Sequence, residues 1–123
     1  MAKILVVEDE ATVLLLVESI LQGAGYETLT ASTLSQAQAI LASDEKVDLV
    51  FTDVQLVDQP EGGILIGEMV RQLHPGTPVI YATARSLTDG MQAQLVEPSG
   101  FVQKPYTDAN VLSAVAKFVR PTP

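Results

Sequence analysis

The stretch Val47-Asp48-Leu49-Val50-Phe51-Thr52-Asp53-Val54-Gln55 decides how the rest of the chain is read. Its apolar members are β-branched, aromatic or leucine and follow one another almost without a break. That is the pattern of a short strand covered on both faces, not of one that alternates between core and water. The run carries a carboxylate, Asp53, to its own end. An acid at a strand end also serves as a turn or cap residue, so this position alone decides nothing. Three further apolar runs end in the same way: residues 4–7 on Glu8 and Asp9, residues 79–82 on Thr83, and residues 101–103 on Lys104.

The first of these runs, Lys3-Ile4-Leu5-Val6-Val7, is again continuous and belongs inside a parallel sheet. Glu8-Asp9-Glu10 follow it, and residues 11–22 then place Val13, Leu16, Val17, Ile20 and Leu21 at helical spacing, with the acids at the favourable end of the helix dipole. Gly23-Ala24-Gly25 stops that helix. Residues 26–31 make a more polar strand, expected at the sheet edge. Ser32 or Thr33 can cap a helix over 34–42 that turns Leu34, Ala37, Ile40 and Leu41 inward. Beyond the central strand, a loop over 56–63 contains Pro60, Gly62 and Gly63 and leads into a helix over 64–73, closed by His74-Pro75-Gly76. The lone His74 reads as a solvated turn residue, not a ligand. Residues 79–82 form the next strand. Gly90 and Pro98 interrupt residues 85–99 and leave only 91–96 for a short fourth helix. Residues 100–103 are the last strand, and Thr107 or Asp108 caps a final helix with Val111, Leu112, Val115, Phe118 and Val119 inward.

Strands alternating with helices in this way predict a flavodoxin-like α/β fold: a doubly wound five-stranded parallel sheet of order 2-1-3-4-5 with five helices, one domain over residues 1–120 and a tail over 121–123. Parallel strands bring their C-terminal ends to one edge, where ligands of such folds bind. Glu8, Asp9, Asp53, Thr83 and Lys104, distant in the chain, are therefore expected to meet.

The 123 residues contain no cysteine, which leaves no disulfide framework, and no apolar run approaches the roughly 20 residues that span a bilayer. Fifteen acids against seven bases give a formal charge of -8, which argues against direct contact with nucleic acid or anionic membrane. A cytoplasmic location is expected. Three carboxylates in one site repel one another by roughly 4 kcal/mol per pair at 4 Å and an effective dielectric of about 20, so a positive partner is required. An oxygen-rich donor set without cysteine or histidine suits Mg2+. A carboxylate held by such a metal and an ammonium group can attack a phosphoryl group and become an aspartyl phosphate, with the Thr83 hydroxyl donating to one phosphoryl oxygen. Each residue has an ordinary structural explanation alone; four polar strand ends together make coincidence a poor account.

At these residues the chain resembles the receiver domain of response regulators, the phosphoacceptor module of two-component signalling. The resemblance rests on Val6-Val7-Glu8-Asp9-Glu10, Asp48-Leu49-Val50-Phe51-Thr52-Asp53, Thr83-Ala84 and Lys104-Pro105, and extends from Ile4 to Val119. It implies that Asp53 is the phosphoacceptor and that the metal ligands are Asp9 directly, Glu8 largely through water, Asp53, and the backbone carbonyl of Gln55. It further implies that Thr83 is the switch hydroxyl, Lys104 the partner of the phosphoryl group, Phe101 the switch aromatic, and the Lys104-Pro105 bond cis. A histidine kinase or histidine phosphotransfer protein would supply the phosphoryl group. A separate effector protein, or another part of a longer protein, would read the output, since the chain ends after the final helix.

The sequence also departs from the family pattern. Glu8 stands where aspartate is more usual, residues 54–63 are about two residues longer than in compact members and add Asp58 and Glu61, and Phe101 lacks a tyrosine hydroxyl. Gln55 and Arg85 occupy positions that tune phosphoryl lifetime, and the interrupted stretch before Phe101 is similar to receivers attached to hybrid kinases. Two rival readings differ in class. One is a receiver-like docking module that is never phosphorylated. The other is a haloacid-dehalogenase-type phosphatase, which needs a second acid two residues after the nucleophile, where this chain has Gln55. A nucleotide-binding loop is missing, and the first turn is too acidic for phosphate without a metal.

Overall fold

In a computed structural model, the continuous apolar runs become parallel strands and the intervening helical periods cover both faces of the sheet. The structure describes residues 2–56, 61–83, 98–103 and 107–120. In order, the elements are β1 (Lys3–Val7), α1 (Ala11–Gly23), β2 (Glu27–Ala31), α2 (Leu34–Ala42), β3 (Leu49–Asp53), α3 (Gly62–Leu73), β4 (Val79–Thr83), β5 (Ser99–Gln103) and α4 (Asp108–Ala116). The sheet order is β2-β1-β3-β4-β5 and every neighbouring pair is parallel. This is the flavodoxin-like arrangement the sequence predicts. The expected helix at 91–96 lies outside the described residues.

Continuous hydrophobicity is what this topology demands, because alternate residues of one strand feed two different cores. Leu5 and Val7 of β1, with Val50 of β3 and Tyr81 of β4, pack among Ala37, Leu41, Ile66 and Val70 from α2 and α3. Ile4 and Val6, with Phe51 and Ile80, pack among Val17, Leu21, Val111 and Val115 from α1 and α4. All five residues of β3 and all five of β4 are buried, whereas the edge strand β2 buries only Ala31. Burying a side chain such as Leu49 or Ile80 stabilises the fold by about 1.5–3 kcal/mol, so the central strands supply much of the stabilisation.

Helix ends follow local chemistry. Thr33 caps α2 by accepting from the Gln36 N–H, and Thr107 with Asn110 forms a reciprocal capping box at α4. The chain leaves α1 through Gly25, whose φ of 97° is the left-handed conformation that favours glycine.

Three expectations need correction. Helix α3 begins at Gly62, two residues before the expected start, so Gly62 and Gly63 form its first turn and do not belong to the loop. Leu16 does not face the core: it is 49% exposed, and Leu14 packs inward in its place. Four consecutive apolar residues, Leu14 to Val17, make the helical phase ambiguous, and the contacts of Val17 with the sheet settle it. His74 is not a solvated turn residue. It is partly buried, and its Nε2 lies 2.8 Å from the Leu41 carbonyl oxygen. Because that oxygen only accepts, Nε2 carries the proton, and the ring ties the end of α3 to the end of α2.

Candidate functional site

The candidate site lies at the C-terminal ends of β1, β3 and β4. From β1 the chain turns to one side to make β2, then crosses to the other side to make β3, so strand order reverses between β1 and β3. A crevice opens at such a reversal. Val7 of β1 pairs with Thr52 of β3, which places the next residue of each strand, Glu8 and Asp53, side by side. The Glu8 N–H donates to the Ala31 carbonyl at the end of β2 (3.1 Å) and so fixes the turn that follows β1. The Glu8 carboxylate in turn accepts from the Asp9 N–H (3.0 Å).

One carboxylate oxygen from each of Glu8, Asp9 and Asp53 lies within 4.8 Å of the others. Glu8 is 3% exposed and Asp53 7%, with Asp9 partly buried. At that spacing each like-charged pair costs roughly 3 kcal/mol at an effective dielectric near 20. Three hard oxygen donors converging from two strand ends, with no sulfur or imidazole among them, fit a divalent cation such as Mg2+.

Of the other expected site residues, Thr83, Phe101 and Gln55 fall among the described residues. Thr83 is the last residue of β4, 5% exposed, and stands one residue beyond Ala82, the partner of Asp53. Phe101 pairs with Tyr81, two residues before Thr83, so alternation puts Tyr81, Thr83 and Phe101 on one face of the sheet. The Phe101 ring is 44% exposed. Gln55 is exposed just past β3. Lys104 and the Lys104-Pro105 bond lie outside the described residues, as do Asp58 and Arg85.

Two residues near Asp53 carry no site role in the sequence reading. Gly63, in the first turn of α3, lies so close to β3 that a side-chain carbon there would fall on the Asp53 carbonyl oxygen and within 2.7 Å of Val54 Cα. The Gly63 N–H donates to the Val54 carbonyl at 3.0 Å. Thr52, fully buried, donates its hydroxyl to the Asp53 carbonyl at 3.0 Å. The available signals were a glycine pair directly before a helical period and a hydroxyl inside an otherwise apolar strand. Both have commoner meanings, a loop and a β-branched strand former, and neither points to a site without the fold.

Comparison with known proteins agrees with this geometry. Residues 4–116 match the family model described as "Response regulator receiver domain". The chain is similar to the phyllosphere-induced regulator PhyR of Methylorubrum extorquens, at 28% identity over 94% of this chain and 42% of that protein. It is also similar to the transcriptional regulatory protein CpxR of Klebsiella pneumoniae, at 32% identity over 98% of this chain and 50% of that protein. It therefore spans half or less of the length of these two relatives. Among solved structures, a response regulator receiver protein from Sinorhizobium medicae superimposes with a TM-score of 0.85 at 29% identity, covering 95% of this chain and 93% of that one.

Proposed function

This chain belongs to the response-regulator receiver family, a family of signalling phosphoacceptors and not of classical enzymes, and from that premise we propose that it takes a phosphoryl group onto Asp53. The donor is a phosphohistidine on a histidine kinase or histidine phosphotransfer protein. One observation carries the reading: Glu8, Asp9 and Asp53 bring carboxylate oxygens within 4.8 Å of one another at the strand-order reversal.

An Asp53 carboxylate oxygen attacks phosphorus, the new P–O bond forms as the P–N bond breaks, and the bonding pair leaves with the partner's imidazole. When bound by Glu8, Asp9, Asp53 and the Gln55 carbonyl, Mg2+ supplies positive charge against the phosphoryl oxygens. Lys104 adds an ammonium group, and the Thr83 hydroxyl moves to donate to a phosphoryl oxygen. Phe101 turns inward to fill the space that Thr83 leaves, which changes the surface a separate effector protein meets. Shifting such an equilibrium from 1:99 to 99:1 requires roughly 5.5 kcal/mol of preference for the modified state. One or two charge-assisted hydrogen bonds and the burial of one ring supply a large part of it.

The test is intact mass after incubation with Mg2+ and acetyl phosphate, beside Asp53→Asn. The expected result is a gain of about 80 Da, removed by hydroxylamine and missing from the variant. A chain that gains no mass, and whose spectrum beryllofluoride with Mg2+ leaves unchanged, overturns the proposal in favour of a docking module.

A further inference from the structure

The peptide unit joining Asp53 to Val54 is held at both ends by groups that the receiver chemistry does not use. At one end the Thr52 hydroxyl donates to the Asp53 carbonyl oxygen at 3.0 Å. At the other, the Val54 N–H donates to the Ala82 carbonyl of β4 at 2.9 Å. A peptide unit is planar, so fixing both ends fixes the plane. Gly63 closes the remaining side: its missing side chain lets α3 press on the Asp53 carbonyl, and its N–H holds the Val54 carbonyl. Rotation about the Cα–C bond of Asp53, which would swing the carboxylate relative to Glu8 and Asp9, is thereby restrained.

We propose that Thr52 is a positioning residue for the acceptor, its hydroxyl locking the Asp53–Val54 peptide so that the Asp53 carboxylate stays in register with Glu8 and Asp9. This rests on the phosphoacceptor reading above. Thr52 occupies a strand position whose neighbours Val50 and Phe51 are wholly apolar and whose own side chain is fully buried. Valine would fill the same volume, so packing alone does not call for the hydroxyl. The same peptide reaches β4 one residue before Thr83, so the lock also fixes the distance from the acceptor to the switch hydroxyl. Misplacing a reacting group by about 1 Å costs on the order of a hundredfold in rate, and freeing one of several restraints has a smaller effect.

The experiment compares Thr52→Val with Thr52→Ser in the full chain. The readouts are the rate of phosphoryl uptake from acetyl phosphate at saturating Mg2+, the thermal unfolding midpoint, and hydrogen exchange at the Val54 amide. Thr52→Val keeps the volume and loses the hydroxyl. It is expected to slow uptake about tenfold and speed Val54 exchange while its midpoint stays near wild type. Thr52→Ser keeps the hydroxyl and loses a buried methyl, so its midpoint falls while uptake stays within about twofold of wild type. Rate and stability then rank the variants in opposite orders, which a packing role does not produce. A valine variant that takes up phosphoryl at the wild-type rate, or a serine variant as slow as the valine one, overturns the positioning role. A wild-type chain that takes up none overturns the phosphoacceptor reading on which that role stands.

Discussion

The two ends of the sheet use the same residue types for opposite purposes. At the N-terminal end of the strands, Lys3 is surrounded by acids: its Nζ lies 3.0 Å from Glu45 and 3.9 Å from Glu27, and its backbone N–H donates to the Asp48 carboxylate at 2.8 Å. Lys46 adds a further pair with Asp48 at 3.9 Å. These acids are exposed or half-buried, and each lies beside a lysine. The hydrogen bond to Glu45 is the main reason that the Lys3 ammonium holds its proton above the usual lysine range. At the C-terminal end, Glu8 and Asp53 are almost wholly buried and converge with Asp9 on one another. The acids at the N-terminal end are thus dispersed and matched with lysines in water, whereas those at the C-terminal end are gathered where like charges repel, the arrangement on which the phosphoacceptor proposal rests.

That contrast is open to direct challenge. The largest effect is expected at the acidic end. Asp9→Asn weakens Mg2+ binding at least tenfold by titration calorimetry, and in chelator it raises the free energy of urea unfolding by about 1 kcal/mol, because one like charge is gone. If the variant is less stable in chelator than wild type, the acidic end is not a strained cluster and the contrast fails. Asp48→Asn should act in the reverse direction. It costs a little under 1 kcal/mol, on the order of a net hydrogen bond, through the weakened bond from the Lys3 N–H, equally with and without Mg2+.

Tyr26 sharpens the same point without a charge. It precedes β2 at the lysine-rich end, and its hydroxyl donates to the Val119 carbonyl at 3.0 Å, tying the stretch after α4 to the start of β2. Burial pushes its phenol above the usual value. The folded chain therefore holds this proton more tightly than the unfolded chain. The resulting stability is complete below about pH 10 and is lost as pH climbs through the raised folded value. Tyr26→Phe is expected to cost about 1 kcal/mol at neutral pH and to flatten the alkaline fall in the unfolding curve. The smallest effect belongs to Glu45→Gln, an exposed partner of Lys3. Its melting midpoint should stay within a degree or so of wild type and converge with it in high salt.

The parts of the molecule legible in advance were those written in local pattern. Residues 4–7, 49–51 and 79–82 are continuous apolar runs because both faces of each strand are covered, and the polar residues that follow each run stand at the strand tip whatever the details of packing. Phase and proximity were harder to read. Leu14-Leu15-Leu16-Val17 offers no polar residue to mark the outer face of α1, so the inward choice between Leu14 and Leu16 fell to contacts with the sheet. Glycines normally end helices, yet Gly62 and Gly63 begin one, because α3 must approach Asp53 and Leu56 more closely than any side chain allows. His74 looks like a solvated turn residue in the sequence because its partner, Leu41, is 33 positions earlier.

The sequence by itself determined the order of strands and helices, the covered central strands, and which acids and hydroxyl stand at strand ends, since each follows from hydrophobic period and residue chemistry within a few positions. Only the tertiary structure decided that Glu8, Asp9 and Asp53 come within 4.8 Å and that Thr52, Gly63 and Ala82 hold the backbone beside Asp53. Those distances depend on the register of β1, β3 and β4 and on the seating of α3. Many contacts between distant segments set both together, and no local stretch of sequence records their sum.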